Sequence, residues 1–291
     1  MPTYLGKIGS TNFKLLKNSP GPDHRRSLRR QYSGYSRSIL EADTHWLKTY
    51  ANNLTSAQKE RFIKLYRSGA LVPEFVRHKL LGLRNVNCCP YCGMRANVTV
   101  DHYLPKDEFP QFSMLGMNLV PACSDCQNSR HKGSKYPRRK HRKSPSPDRF
   151  VHPYLDKFAR TSVLSISFSV GEALTNIRVS ARKGDSRYQR LVSYHVDALR
   201  LSERAHRDID PVWRLILREV SGNAAYARRS ELISMLEGRR EEELVRAGSF
   251  NAIPVAFLSS LISSQEAIAF LVKKSLEPPR PHRNTRQRHW Q

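Results

Sequence analysis

Outside one window the chain has no cysteine: Cys88, Cys89, Cys92, Cys123 and Cys126 are the complete set. A disulfide framework in a secreted domain spreads its cysteines along the sequence. That architecture is therefore excluded, and two Cys-x-x-Cys pairs in one segment read as a metal site in a reducing compartment. Long hydrophobic runs are also missing. The longest apolar stretch, near Ile253 to Ile262, is serine-broken and too short to span a bilayer, and the opening MPTYLGKIGS has no apolar signal core. A cytoplasmic protein with no membrane partner is the expectation. There is no repeat of fixed period and no G-x-x-x-x-G-K-[ST] segment, so any nucleoside-triphosphate control is expected from a partner chain.

Negative charge is scarce. The 25 Asp+Glu face 50 Lys+Arg, for a formal net charge of +25 and a pI near 10.3. Such an excess repels itself in a compact state, and a polyanionic partner, nucleic acid first, neutralises it. A solvated basic surface is the plainer alternative. An anionic membrane surface is a weaker third, because no basic amphipathic helix is paired with a lipid-anchor motif. The 291 residues, 39% of them hydrophobic, and the mean hydropathy of −0.59 describe a soluble chain able to bury one fair-sized core or two small ones.

Composition and periodicity divide the chain. Residues 1–40 are rich in Arg, Ser, Gly and Pro, and their run His24 to Arg30 reads as a disordered basic arm. Residues 41–85 turn helical, with Leu47, Tyr50, Leu54, Phe62, Leu65 and Tyr66 at three- and four-residue spacing and Thr55 or Ser56 as a cap. The cysteine module spans 86–135 and a basic linker 136–150, the latter with Arg138, Arg139 and Lys140. In 151–279, Leu164 to Val170 and Ile177 to Ala181 alternate about a turn at Gly171, which predicts a β-hairpin. A helical region follows. Its first apolar face includes His195, read as a core or boundary histidine; Pro211 is placed in a first helical turn, and Ser230 and Ser264 are candidate caps. Residues 280–291 form a basic tail.

Cys89 with Cys92 and Cys123 with Cys126 supply four thiolates, which satisfy tetrahedral zinc without an open position for water. Such a closed site is structural, clipping together a fold too small to bury enough apolar surface alone. Cys88 is left over, its side chain expected to point away from the metal. Between the knuckles, a β-like run from Val98 ends in Asp101 and His102, and Asn118 and Leu119 precede the second knuckle. An Asp-His pair is common; its setting between zinc knuckles makes it informative.

DHYLPK, then FP, FS and NLVPAC-x-x-C, then HPYLD at His152 to Asp156, resemble the bacterial HNH endonucleases with a ββα-metal core. The match is dense over Cys89 to Gly133 and thinner beyond. The resemblance implies an α+β fold: a small zinc-stabilised ββα-metal module flanked by mostly helical N- and C-terminal regions with one β-hairpin. It implies that His102 is the general base and that Asp101 holds one catalytic divalent ion, magnesium or manganese. Asn118 would orient the His102 ring or hold the loop that does. The family places Asn or His directly after the last cysteine and Lys three further on; this chain has Gln127 and Arg130. Gln127 is the gapless candidate for the second metal ligand, and Asn128 its rival one residue on. Lys106, Arg130 and Lys132 are candidate phosphate contacts, the last two, with His131, on the helix of the ββα unit, and Arg138, Arg139 and Lys140 extend the basic set.

The function expected is hydrolysis of phosphodiester bonds in DNA, duplex by preference. By analogy alone, such nucleases often stand beside an ATPase partner in anti-phage defence operons, of which the Septu type is one. Two alternatives stay open. One is a zinc-stabilised nucleic-acid-binding protein that is catalytically weak or inactive, which the irregular Gln127 favours. The other is an RNA-cleaving nuclease, since the same chemistry needs no 2′-hydroxyl.

Overall fold

The computed structural model describes residues 22–67, 88–137, 148–184 and 186–278. The chain opens with three helices, α1 (Pro22–Glu41), α2 (His45–Asn52) and α3 (Ser56–Arg67). The two short antiparallel strands β1 (Val98–His102) and β2 (Leu119–Cys123) follow, then a single helical turn, α4 (Ser124–Gln127). A second antiparallel pair, β3 (Leu164–Ser169) and β4 (Thr175–Ala181), leads into α5 (Ser186–Ala198), α6 (Leu201–Arg204), α7 (His206–Val220), α8 (Arg229–Ala247), α9 (Ile253–Ser263) and α10 (Gln265–Ser275). The fold is mixed α+β and mostly helical, with one hairpin carrying the cysteine segment and one the predicted alternating segment.

Helix α1 corrects the expectation of a disordered arm over residues 1–40: its residues from 22 on are helical, whereas 1–21 lie outside the described residues. Leu28, Gln31, Tyr35, Ser38 and Ile39 are buried along one side, while Arg26, Arg29 and Arg30 are exposed. Polar Gln31 and Ser38 occupy inward positions, so the apolar stripe is interrupted although the spacing is helical. Gly34 faces α2 so closely that a Cβ there would lie 2.4 Å from Trp46 Cζ2. Trp46 Nε1 donates to Ser38 Oγ at 2.6 Å, closing the same contact. At α3 the expected cap is Thr55: Gln58 N donates to Thr55 Oγ1 at 3.3 Å and Thr55 N to Gln58 Oε1 at 2.9 Å, a reciprocal box.

The hairpin of β3 and β4 pairs Leu164 with Ala181 and Ile166 with Val179, with a register shift between Ser167 and Ser169. Helix α9, buried from Ile253 to Leu258 and at Leu261, packs against β3, Phe168 meeting Phe257 at 5.4 Å between ring centroids. One continuous hydrophobic cluster runs from Tyr35 through the cysteine module to Leu271, so the helical flanks and the module share a core. Phe150 belongs to it, which corrects the far end of the linker, 136–150, to core; residues 138–147 lie outside the described residues. Among the described residues no single helix is long and apolar enough to cross a membrane.

Two C-terminal expectations are also corrected. Pro211 sits inside α7 rather than in its first turn. The helix starts early because Asp208 accepts from Arg95 N at 2.7 Å and Ile209 is buried, which ties the preceding residues to the cysteine module. Ser230 lies within α8, whose N-cap is Arg228. Ser264 does cap α10, accepting from Ala267 N at 3.2 Å.

Candidate functional site

The two Cys-x-x-Cys pairs meet. The sulfurs of Cys89, Cys92, Cys123 and Cys126 all lie within 4.8 Å of one another and all four residues are buried. Cys92 and Cys123 Sγ stand 3.8 Å apart, the edge of a tetrahedron whose centre is about 2.3 Å from each sulfur, the zinc–thiolate distance. The donor set and its closure fit a structural zinc ion. Four buried sulfurs this close cannot all carry thiolate charge without a cation between them. Cys88 is apart from the cluster, packed with Ala252 and Val255; burial, then Asp208, pushes its thiol up to about 11.

The first knuckle is a tight turn, Gly93 N donating to Cys89 O at 2.8 Å. Gly93 has φ +67°, and a Cβ on it would come within 2.2 Å of the Asn251 carbonyl oxygen, so only glycine suits both the turn and the close approach. The second knuckle begins where β2 ends, and the register places Cys123 opposite Val98 and Leu119 opposite His102. The four-cysteine cluster thus lies at one end of the strand pair and His102 at the other.

His102 is 6% exposed. Its Nε2 lies 3.0 Å from the Ser113 carbonyl, which only accepts, so that nitrogen carries the proton. Nδ1 is then the unprotonated nitrogen, and among the described residues it has no hydrogen-bond partner. Burial, partly opposed by the Ser113 carbonyl, lowers the imidazole to about 4, so the ring is neutral at pH 7. The Tyr66 ring covers it edge-on at 4.5 Å between centroids.

Asn118 does not reach the His102 ring. Its Oδ1 accepts from Leu104 N at 2.7 Å and Tyr35 Oη at 2.9 Å, and its Nδ2 donates to Leu104 O at 3.1 Å and Phe112 O at 3.2 Å. Of the two roles expected for it, the geometry gives the second: Asn118 staples the loop that carries Ser113. Tyr32 Oη adds a bond to Gln111 O at 2.9 Å. Tyr32 and Tyr35 both belong to α1, so the N-terminal helix supports the site, which no motif announced.

Asp101 is beside His102 on β1, its Oδ2 2.8 Å from Lys132 Nζ. Oδ2 is buried with no hydrogen bond despite this ion pair, and Oδ1 makes none among the described residues. Lys132 is corrected from a phosphate contact to a core cation, its side chain 1% exposed, with Nζ donating to His102 O at 2.8 Å and Gly133 O at 3.3 Å. The helix expected to carry Arg130, His131 and Lys132 ends at Gln127. Asn128 turns extended, its side-chain oxygen accepts from Arg130 N at 2.9 Å, and the chain folds back so that Lys132 N reaches Cys126 O at 3.1 Å. Arg130 is exposed and Lys106 half-buried. Arg138, Arg139 and Lys140 lie outside the described residues.

Gln127 Nε2 donates to Thr99 Oγ1 at 2.8 Å and Ala122 O at 2.9 Å. Thr99 and Asp101 share a face of β1, so Gln127 stands one pleat, roughly 7 Å, along the strand from Asp101. His195, on α5, is a satisfied core histidine: Val151 N donates to its Nδ1 at 3.0 Å and its Nε2 bonds Tyr91 O at 2.7 Å. In the HPYLD segment His152 and Asp156 are buried too, and Pro153, Tyr154 and Leu155 between them are half-buried. Asp156 takes a bidentate pair from Arg149 at 2.5 and 2.7 Å and accepts from His152 N at 2.7 Å.

No protein-family model matches the chain, and no solved structure matches it. Protein ea31 of Escherichia phage lambda is similar, 37% identical over 70 residues, which is 24% of this chain. The chain matches 21% of the length of that curated relative.

Proposed function

We propose that the protein is a metal-dependent HNH-type nuclease whose zinc-clipped strand pair carries the reacting groups, with duplex DNA as substrate. The observation that carries this reading is the tautomer of His102. A backbone carbonyl holds Nε2 and leaves the Nδ1 lone pair of a neutral ring on the residue next to Asp101, the state a general base needs before it accepts a proton from water. Asp101 Oδ1 fits a magnesium or manganese ion, which when bound would stabilise the charge that builds on phosphate. Asp101 holds that position, Ser113 orients His102, and Asn118 and Tyr35 keep the Ser113 loop in place. Gln127, on the Asp101 face of β1, suits a second ligand better than Asn128, whose side-chain oxygen is committed to Arg130 N. The net charge of +25 supplies attraction to phosphate that is blind to sequence. Cleavage of RNA, and control by an ATPase partner, rest on the resemblance and on chemistry shared between substrates.

A non-cutting nucleic-acid-binding protein is the second reading, and one contact favours it. Lys132 places a positive charge on the carboxylate that would hold the divalent ion, and His102 is nearly enclosed. Plasmid nicking with magnesium or manganese separates the readings. Wild-type protein is expected to nick, while His102→Ala retains zinc and DNA binding and loses cleavage. Wild-type protein that binds DNA but leaves plasmid intact with either ion would establish the second reading. Labelled duplex DNA, single-stranded DNA and structured RNA digested in parallel assign the substrate.

A further inference from the structure

The second knuckle has a buried arginine aimed at its sulfurs. Arg204, on α6, directs Nη1 and Nη2 to Cys126 Sγ at 3.8 and 3.7 Å, and Nη2 to Cys123 Sγ at 3.9 Å. Nη1 also donates to Leu199 O at 3.0 Å. The side chain is 10% exposed and lies 3.7 Å from Asp125, between the two cysteines. Its Nε is buried without a partner, so the guanidinium forgoes one hydrogen bond to present both Nη groups to the sulfurs. Arg207, at the start of α7, holds the same Asp125 at 2.7 Å and touches none of the four cysteine sulfurs.

Four thiolates around one dication carry a net charge of about −2, which is costly to bury without compensation. A guanidinium donating to two of them offsets part of that charge and favours the thiolate form. We propose that Arg204 is the outer cation of the four-cysteine site, a positioning residue that retains the zinc by partly neutralising Cys123 and Cys126 from a helix nearly 80 residues downstream. Zinc occupancy and docking of the C-terminal half on the module then become one coupled event. The argument needs only the metal cluster and stands whether or not the protein cuts nucleic acid.

The test uses the full chain and reads two quantities: zinc release to a chromogenic chelator, and the thiolate charge-transfer band of the cobalt-substituted protein. Outer-shell partners of metal ligands typically change affinity about 10- to 100-fold. Arg204→Gln is expected to release zinc at least about ten-fold faster and to shift the cobalt band, with Arg204→Lys between it and wild type. Arg207→Gln, which loosens the contacts to Asp125 and Met94 Sδ and none to the cysteine sulfurs, is expected to leave the band unchanged and release within about two-fold of wild type. If Arg204→Gln does not fold, Arg204→Lys decides on the same readouts. Wild-type release with an unchanged band in the Arg204 variants overturns the proposal. Arg207→Gln reproducing the Arg204 effect, or purified protein that holds no zinc, overturns it as well.

Discussion

Lys132 Nζ lies 2.8 Å from Asp101 Oδ2 with the lysine side chain 1% exposed, so one enclosed ammonium fastens the turn after the second knuckle to the end of β1. The contact with Asp101 is an ion pair without a hydrogen bond, and Nζ donates instead to the carbonyls of His102 and Gly133. The ammonium is held by one carboxylate and two carbonyls, and each group it touches depends on it.

Removing only the lysine should therefore be costly. Lys132→Met leaves a largely buried carboxylate and the His102 carbonyl without their partner, and loss of one member of a buried pair typically costs about 3 kcal/mol or more. Adding Asp101→Asn removes the stranded charge and is expected to recover part of that loss. Urea unfolding of the zinc-loaded proteins measures both. A single variant as stable as wild type would show that the pair contributes nothing to the fold.

Helix α1 offers a second test, because its packing against α2 depends on a missing side chain. In an exposed helix interior, Gly→Ala stabilises by about 1 kcal/mol. At Gly34 the added Cβ would sit 2.4 Å from the Trp46 ring, and overpacking of this kind costs about 1–3 kcal/mol. Gly34→Ala is expected to lower stability by about 1 kcal/mol net and to perturb tryptophan fluorescence. A rise in the unfolding midpoint would mean that α1 does not pack on α2.

The sequence announces interactions whose partners are close or whose spacing is rigid. Two Cys-x-x-Cys pairs leave little freedom, and four sulfurs within 4.8 Å follow from them. Thr55 with Gln58, and the alternation around Gly171, work the same way. Other features lacked a local signal. Lys132 looks like any surface lysine in a chain of 50 basic residues, and its burial depends on a turn made by Asn128. Arg204 is far in sequence from the sulfurs it meets. In α1, Gln31 and Ser38 fill inward positions among exposed arginines, so composition hid the helix. The expectation for Asn118 left two roles open, and Tyr35, 83 residues away, helps decide between them.

That Tyr35–Asn118 bond makes a third prediction. Tyr35→Phe removes one buried hydrogen bond between α1 and the loop, worth about 1 kcal/mol, whereas Asn118→Ala removes four and is expected to cost on the order of 3 kcal/mol. The smaller variant should keep its fold while loosening the Ser113 loop, measured as faster amide exchange over residues 104–113. Unchanged exchange in Tyr35→Phe would show that the Tyr35–Asn118 bond does not brace the loop.

Acid should unfold the protein by way of its enclosed histidines. Burial is the main cause in each case, lowering His102 and His195 to about 4 and His152 to about 3. The unfolded chain titrates near 6.5, so as pH falls it takes up protons that the folded state refuses. Stability is thus complete above about pH 7 and declines as pH drops through 6.5 towards 4, each histidine adding up to about 1.4 kcal/mol per pH unit within that window. His195 shows the physical reason: the Val151 N–H points at Nδ1, and a proton on that nitrogen would break the bond. Urea midpoints at pH 7.5, 6.5 and 5.5, with zinc in excess to hold the metal site loaded, are expected to fall steadily. His195→Gln, which can still accept from Val151 and donate to Tyr91, should make the decline shallower. Midpoints that do not change with pH, or equal slopes in the two proteins, would mean that these imidazoles are not held neutral by burial.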